Sequence, residues 1–278
     1  MSVAVVTGAG RGIGRATALA LADSGFAVGL VARTHEELLI TADEVAARGA
    51  PAAVAVGDVT CEGSVRGAIA ILEESLGDID VLVNNAGTMR AIGPVWQVDP
   101  LDWRTDVQTS LIGAFLCSRE VIPRMIGRGR GRIVNVVSYA AVRPSPYQSA
   151  YGAAKAGLVS LTEDLAASLS PHGLSAFAVA PGFTDTAMTR SLVGSAAARR
   201  WMPELAIREP VSAQQSTRLI TWLATGSGDE LSGRLLHPLD DVEALLDQVE
   251  RVRAWICTCR ASAGSTDRGG QAFGLPTR

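Results

Sequence analysis

The chain has 278 residues, 47 % of them apolar, and a formal net charge of −3. That length and composition suit one or two packed globular domains, and the near-balance of charge argues against nucleic acid or an anionic membrane surface as partner. No apolar run reaches ~18 residues, so no membrane span is expected, and a nearly neutral surface suits a small-molecule substrate.

The opening residues, Met1-Ser-Val-Ala-Val-Val-Thr-Gly8, carry no basic region, long apolar core or small-residue cleavage site, so no secretory signal is expected. Val3–Thr7 reads as a buried strand, followed by a glycine turn and a helix to about Ser24. Val28–Ala32 is the second strand. A helix then begins at Thr34, where Thr34 and Glu37 have the spacing of a capping box. Ala53–Val56, Val81–Val83, Ile133–Val137 and Leu174–Val179 read as further strands, each rich in β-branched or small apolar residues and separated by helical stretches. Continuously apolar strands are buried on both faces, and the helices between them can cover those faces. The expected fold is a single-domain α/β structure over residues 1–238, a Rossmann-type doubly wound parallel sheet with helices on both faces. No internal repeat argues for a solenoid.

Two regions break the alternation. Residues 183–210, with Met188, Trp201, Met202 and two prolines, read as an irregular, partly helical insertion on the substrate side. Residues 239–278 read as a C-terminal helix and mobile tail. Asp240–Cys259 carries an apolar stripe at Leu245, Val249, Val252 and Ile256, and residues from about Ser262 are Gly, Ser, Thr and Arg without periodicity.

Thr7-Gly-Ala-Gly-Arg-Gly-Ile-Gly14 lies between a strand and a helix, where backbone can approach a pyrophosphate and the helix start offers free N–H groups. Gly8, Arg11, Gly12, Ile13 and Gly14 are therefore expected to bind a dinucleotide; the alternative is an ordinary glycine turn. The second strand ends Val31-Ala32-Arg33-Thr34 without the carboxylate that would hold a ribose 2′-hydroxyl. Arg33 would accommodate a 2′-phosphate and Arg11 could add a second charge near it, so NADP(H) is expected over NAD(H). The alternative for Arg33 is a solvated strand-end residue.

Ser138 closes the fifth predicted strand, at the edge where open parallel sheets bind ligands. Thirteen residues on, Tyr151 and Lys155 are spaced to share one helix face. A phenol is a poor base at neutral pH, and a neighbouring ammonium is expected to lower its pKa. The pair alone would be a weak signal.

Together these segments resemble the short-chain dehydrogenase/reductase family, in its classical branch. The resemblance covers residues 2 to about 236 and rests on Thr7–Gly14, Asp58-Val59, Asn84-Asn-Ala-Gly87, Ser138, Tyr151 with Lys155, and Pro181-Gly-Phe-Thr-Asp-Thr186, in the family's order. It implies that Asp58 and Val59 contact the adenine, that Asn85, Ala86 and Gly87 line the adenosine side, and that Pro181, Gly182, Thr184 and Thr186 close over the nicotinamide and its carboxamide. It implies that Lys155 binds the nicotinamide ribose. The implied reaction is hydride transfer between the nicotinamide and a small-molecule ketone or secondary alcohol, with Ser138 and Tyr151 on the oxygen and Tyr151 moving the proton. The family's relay asparagine is replaced by Ser110, in Gln108-Thr-Ser-Leu-Ile-Gly113, so the relay is either rebuilt or absent. The closing Asp-Gly-Gly segment is missing as well.

The leading expectation is thus a cytoplasmic NADP(H)-dependent carbonyl reductase or alcohol dehydrogenase. By resemblance it is a homodimer or homotetramer that pairs through helices near residues 103–126 and 151–170. A dinucleotide-binding sensor or scaffold without turnover is the alternative from another class; a nucleotide-sugar epimerase or dehydratase is disfavoured by the glycine spacing. His35, His172 and His237 lack ligand spacing, and Cys61, Cys117, Cys257 and Cys259 form neither a disulfide framework nor a zinc set, so no metal is expected. The arginines of 124–132 read as a solvated loop. Met188, Leu192, Trp201 and Met202 are substrate-pocket candidates, with core packing as the alternative.

Overall fold

A computed structural model of the chain describes residues 1–249. The expectations for Val252, Ile256, Cys257, Cys259 and the stretch after residue 262 lie outside the described residues. The chain divides after Asp240; beyond it, residues 242–249 are helical.

Among the described residues, seven strands form one parallel sheet: β1 (Val3–Thr7), β2 (Ala27–Ala32), β3 (Ala52–Val56), β4 (Ile79–Asn84), β5 (Gly131–Val136), β6 (Leu174–Val179) and β7 (Leu235–Leu236). Their spatial order is β3-β2-β1-β4-β5-β6-β7. Five of these strands are apolar almost without interruption, and every residue of β1, β4 and β6 is buried. Side chains alternate across a sheet, so burial of both sets requires helices on both faces. From one layer, α3 (Glu62–Leu76) and α5 (Gly113–Arg128) supply Ile69, Leu72, Val121 and Met125 to a cluster with Val5, Leu82 and Ile133. Full burial of each such aliphatic side chain contributes about 1.5–3 kcal/mol. In the other layer α1 (Gly12–Asp23) packs against α9 (Ala213–Ala224), burying Leu21, Ile220 and Leu223.

Because all strands are parallel, their carboxyl ends share one edge of the sheet. The chain reverses its winding between β1 and β4, and a crevice opens there. The other helices before Asp240 are α2 (His35–Ala46), α4 (Pro100–Val107), α6 (Ser149–Leu169), α7 (Ala187–Gly194) and α8 (Ala196–Trp201), of which α2, α6 and α7 carry residues on its wall.

Several local expectations change. Thr34 does cap α2 in position, but its side chain makes no capping bond; Glu37 reaches instead to Arg11 at 3.1 Å, so no capping box forms. β5 stops at Val136, two residues before Ser138. Residues 183–210 are largely helical, as α7, α8 and a 3-10 turn over Pro203–Ile207. The arginine run is not a solvated loop: α5 extends to Arg128, and Arg124, Arg128, Arg130 and Arg132 pair with Glu73, Asp78, Asp80 and Asp229.

Candidate active site

The crevice is a cleft of about 480 Å³ along the carboxyl edge of the sheet. Its floor is the glycine turn. Gly8 and Gly12 have φ of +65° and +57°, a region costly for any side chain. Arg11 precedes α1 without capping it, so the first N–H groups of the helix are left for a ligand. Gly14 is packed: a Cβ there would lie against the Gly8 carbonyl and 2.5 Å from Asn85 Nδ2. The turn is held from behind. Thr7 Oγ1 accepts from Asn85 N (3.0 Å) and Ala86 N (3.1 Å), while Asn85 Nδ2 donates to the Thr7 carbonyl at 2.9 Å. This tightly approached, side-chain-free cradle fits a dinucleotide's phosphates.

At one end of the cleft lie Arg33, Asp58 and Val59. Asp58 accepts from the N–H (2.9 Å) and hydroxyl (2.8 Å) of Thr60. The bond from the Thr60 N–H, more than the charge of Arg33, holds its carboxyl below the usual range. Arg33 is exposed and has no ion-pair partner among the described residues. Arg11, itself exposed, pairs with Glu37 at 3.1 Å.

At the other end, Ser138, Tyr151 and Lys155 line the same wall. Ser138 caps the short turn Tyr139–Ala141, accepting from Ala140 N at 3.2 Å. Tyr151 and Lys155 sit one turn apart in the first half of α6. Lys155 is the only lysine in the chain. It is 3 % exposed, and its Nζ donates to the Val136 carbonyl at 2.7 Å and lies 5.6 Å from the Tyr151 ring centre. Burial lowers its pKa from 10.5 to about 8. Burial likewise pushes the Tyr151 phenol up to about 12; an interaction with Ser138 opposes this and the Asp106 carboxylate adds to it. The net shift is therefore upward rather than the lowering that the spacing suggested. Desolvation dominates, and the ammonium is turned to a backbone carbonyl.

Of the other expected residues, Pro181, Gly182, Thr184 and Thr186 line the cleft beside Asn85, Ala86 and Gly87. The Thr184 hydroxyl is engaged by Ser216 Oγ at 2.7 Å, and Thr186 forms a capping box with Thr189 at the start of α7. Ser110 is not on the cleft wall. It is 1 % exposed, in a π turn over Gln108–Ile112, with Thr88 N 3.5 Å from its hydroxyl, behind Gly87. Met188 and Leu192 line the cleft; Leu192 is also buried with Ala198 and Met202 in a small cluster, and Trp201 stacks on Tyr147 at 5.4 Å.

Three features were not anticipated from the sequence. Asp106, fully buried in α4, accepts from Arg90 N and Ala91 N at 2.9–3.0 Å and so fixes the loop after β4. Asn84 and Asn135 join β4 to β5 at 2.8 Å, with Asn84 also bonded to Ser118 and Asn135 to Thr162. Polar residues inside apolar strands were the available hint for this network. Glu37 lines the cleft from α2; its only apparent role in the sequence was at the helix start.

Residues 2–196 match the short chain dehydrogenase family. The chain belongs to the short-chain dehydrogenase family. It is 35 % identical over 239 residues to (2S)-[(R)-hydroxy(phenyl)methyl]succinyl-CoA dehydrogenase subunit BbsD of Thauera aromatica, which spans 86 % of this chain and 89 % of that one. It is 37 % identical over 199 residues to gluconate 5-dehydrogenase of Gluconobacter oxydans, covering 72 % and 77 %. Among solved structures, NAD+-bound xylitol dehydrogenase superposes with a TM-score of 0.77 at 31 % identity, covering 85 % of this chain and 96 % of that one. An actinorhodin polyketide ketoreductase with NADPH superposes at 0.78 and 29 % identity, covering 85 % and 95 %. This short-chain dehydrogenase is thus an oxidoreductase with the nicotinamide-dinucleotide fold. Among its described residues no helix is long and apolar enough to cross a membrane, and no group of His, Cys, Asp or Glu could hold a metal.

Proposed function

We propose that this short-chain dehydrogenase is an NADP(H)-dependent carbonyl reductase or alcohol dehydrogenase in which Tyr151 is the general acid/base. The observation that carries the reading is the partly buried Tyr151 phenol on one wall with Ser138 and the chain's single lysine. The free N–H groups of α1 and the cradle of Gly8, Gly12, Ile13 and Gly14 hold the pyrophosphate. Arg33 meets a 2′-phosphate, with Asp58, Val59, Asn85, Ala86 and Gly87 along the adenosine. Pro181, Gly182, Thr184 and Thr186 flank the nicotinamide. When bound, the nicotinamide supplies the hydride in reduction and takes it up in oxidation.

Ser138 and Tyr151 donate hydrogen bonds to the substrate oxygen, placing positive charge where negative charge develops. As the carbonyl carbon gains its hydride, the Tyr151 O–H bond breaks and the oxygen takes the proton. The Lys155 ammonium stabilises the phenolate left behind. A phenol held at about 12 keeps its proton at neutral pH, the form that donates to the substrate oxygen in reduction. Ser110, behind Gly87, braces the loop that carries Thr88 and takes the place of a relay asparagine through its backbone. NAD(H) is the second reading, because Glu37 brings a carboxylate to the end of the cleft that holds Arg33. Leu101, Ile112 and Phe115 are exposed apolar residues on α4, the π turn and α5; they suit pairing into a homodimer or homotetramer. Free thiols at Cys61 and Cys117 suit the cytoplasm.

The test is incubation with NADPH or NADH and a panel of ketones, followed at the absorbance of the reduced cofactor. Tyr151→Phe should lower kcat by about 10²–10⁴-fold while cofactor affinity, read by fluorescence, stays within about twofold. A variant within tenfold of wild-type turnover would sink the role of Tyr151. Wild-type binding without turnover on any ketone would favour a sensor.

A further inference from the structure

The cleft is electrostatically lopsided in a way the cofactor does not explain. Among its described lining residues the only carboxylates are Glu37 and Asp58, and both belong to the end that holds Arg33. Both are engaged, Glu37 by Arg11 and Asp58 by Thr60. The end that carries Ser138 and Tyr151 has no acid on its wall and two arginines, Arg143 and Arg208. The nearest carboxylate to matter there, Asp106, is fully buried behind the wall, with both oxygens taken by the N–H groups of Arg90 and Ala91.

The two arginines share an unusual support. The Arg143 guanidinium lies 5.3 Å from the centre of the Tyr139 ring, and the Arg208 guanidinium 5.1 Å from that of Phe183. Tyr139 follows Ser138 directly, and Phe183 follows the Pro181-Gly182 turn. Each guanidinium is therefore oriented by a ring anchored next to the reaction centre. A stacked guanidinium keeps its full charge and its in-plane N–H donors, whereas one paired to a carboxylate spends both. Neither Arg143 nor Arg208 has a carboxylate partner among the described residues, in contrast to Arg124, Arg128, Arg130 and Arg132 on the far side of the fold. The wall of the same cleft also includes Met89, Met188, Leu192 and Leu205.

We propose that the substrate is a carbonyl compound with an apolar body and an anionic group, and that Arg143 and Arg208 bind that anion. This rests on the carbonyl-reductase reading above and adds the substrate class to it. The shared chemistry is an oxyanion, a carboxylate or a phosphate, presented to planar donors.

The test uses matched pairs with one carbon skeleton: 2-, 3- and 4-oxo acids against their neutral ethyl esters, and oxoalkyl phosphates against the corresponding oxo alcohols. Reduction by the wild-type protein is followed at the cofactor absorbance. In at least one series kcat/KM should favour the anion by about tenfold or more, and the advantage should shrink as ionic strength rises. Which series does so distinguishes carboxylate from phosphate. In the Arg143→Gln/Arg208→Gln double variant the anion-to-neutral ratio should fall to about one. Both positions are exposed, so the variant should keep its melting temperature and cofactor affinity. Equal rates within every wild-type pair, a preference for the neutral member, or a ratio unchanged in the double variant would overturn the proposal. Failure of the underlying reading looks different: no member of any pair, charged or neutral, would be reduced.

Discussion

Gly14→Ala is the sharpest probe of the cofactor cradle, because the space at Gly14 is closed by backbone. An added Cβ would lie 2.8 Å from the Gly8 carbonyl carbon, against its oxygen, and 2.5 Å from Asn85 Nδ2. Ordinary carbon contacts are about 3.5–4.0 Å, so the turn has to retreat by roughly 1 Å. Asn85 cannot yield freely, since Nδ2 holds the Thr7 carbonyl and its N–H holds Thr7 Oγ1. Overpacking of this kind costs about 1–3 kcal/mol, and it falls on the conformation that binds the pyrophosphate. A loss near 2 kcal/mol weakens cofactor affinity by roughly thirtyfold. Fluorescence titration with the reduced cofactor reads this directly. Gly67→Ala is the control: Gly67 lies inside α3 with nothing near its missing Cβ, so alanine there should leave binding unchanged and stabilise the helix by up to about 1 kcal/mol. If Gly14→Ala binds cofactor within twofold of wild type and melts normally, the turn is not the phosphate cradle.

Arg33→Ala should weaken NADP(H) by about tenfold or more and change NAD(H) affinity little, checked by parallel titrations; an equal effect on both would remove Arg33 from the 2′-phosphate. Because Lys155 is the only lysine, protein grown with ¹³Cε-lysine gives one resonance whose titration reports the site. Its midpoint should lie near 8, below the ordinary 10.5, and a midpoint at 10 or above would contradict the burial of the amine. The sign for catalysis follows: the ammonium is present below about pH 8, so reductive kcat/KM should fall as pH rises through that value while Tyr151, at about 12, stays protonated. Asn135→Ala removes the bonds to Asn84 and Thr162 at a site with no exposure. A cost of about 3 kcal/mol, seen as a drop in melting temperature of roughly 6–12 °C, is expected; an unchanged melt would mean the network contributes nothing.

Much of the fold was legible because each central strand is a short apolar run between turn residues, and the alternation of such runs with helical stretches points to a parallel sheet covered on both sides. Strand limits were less legible. β5 stops at Val136 because the chain then turns so that Ser138 can cap Tyr139–Ala141, and nothing in the side-chain pattern marks that turn. Glu37 illustrates another limit. Its spacing from Thr34 suggested a local bond, but it pairs instead with Arg11, 26 residues earlier, which the side-by-side β1 and β2 bring within reach.

For Tyr151 the division is clear. Order and spacing along the chain were enough to assemble Ser138, Tyr151 and Lys155 with the glycine turn, since each follows a strand and all strands point the same way. Their protonation was not written there, because it depends on groups distant in sequence: Asp106 from α4, the Val136 carbonyl from β5 and the surrounding walls that exclude water. Sequence places titratable groups along a chain; only the tertiary structure decides how deeply each is buried and what it faces. At this site that burial raises the phenol and lowers the amine.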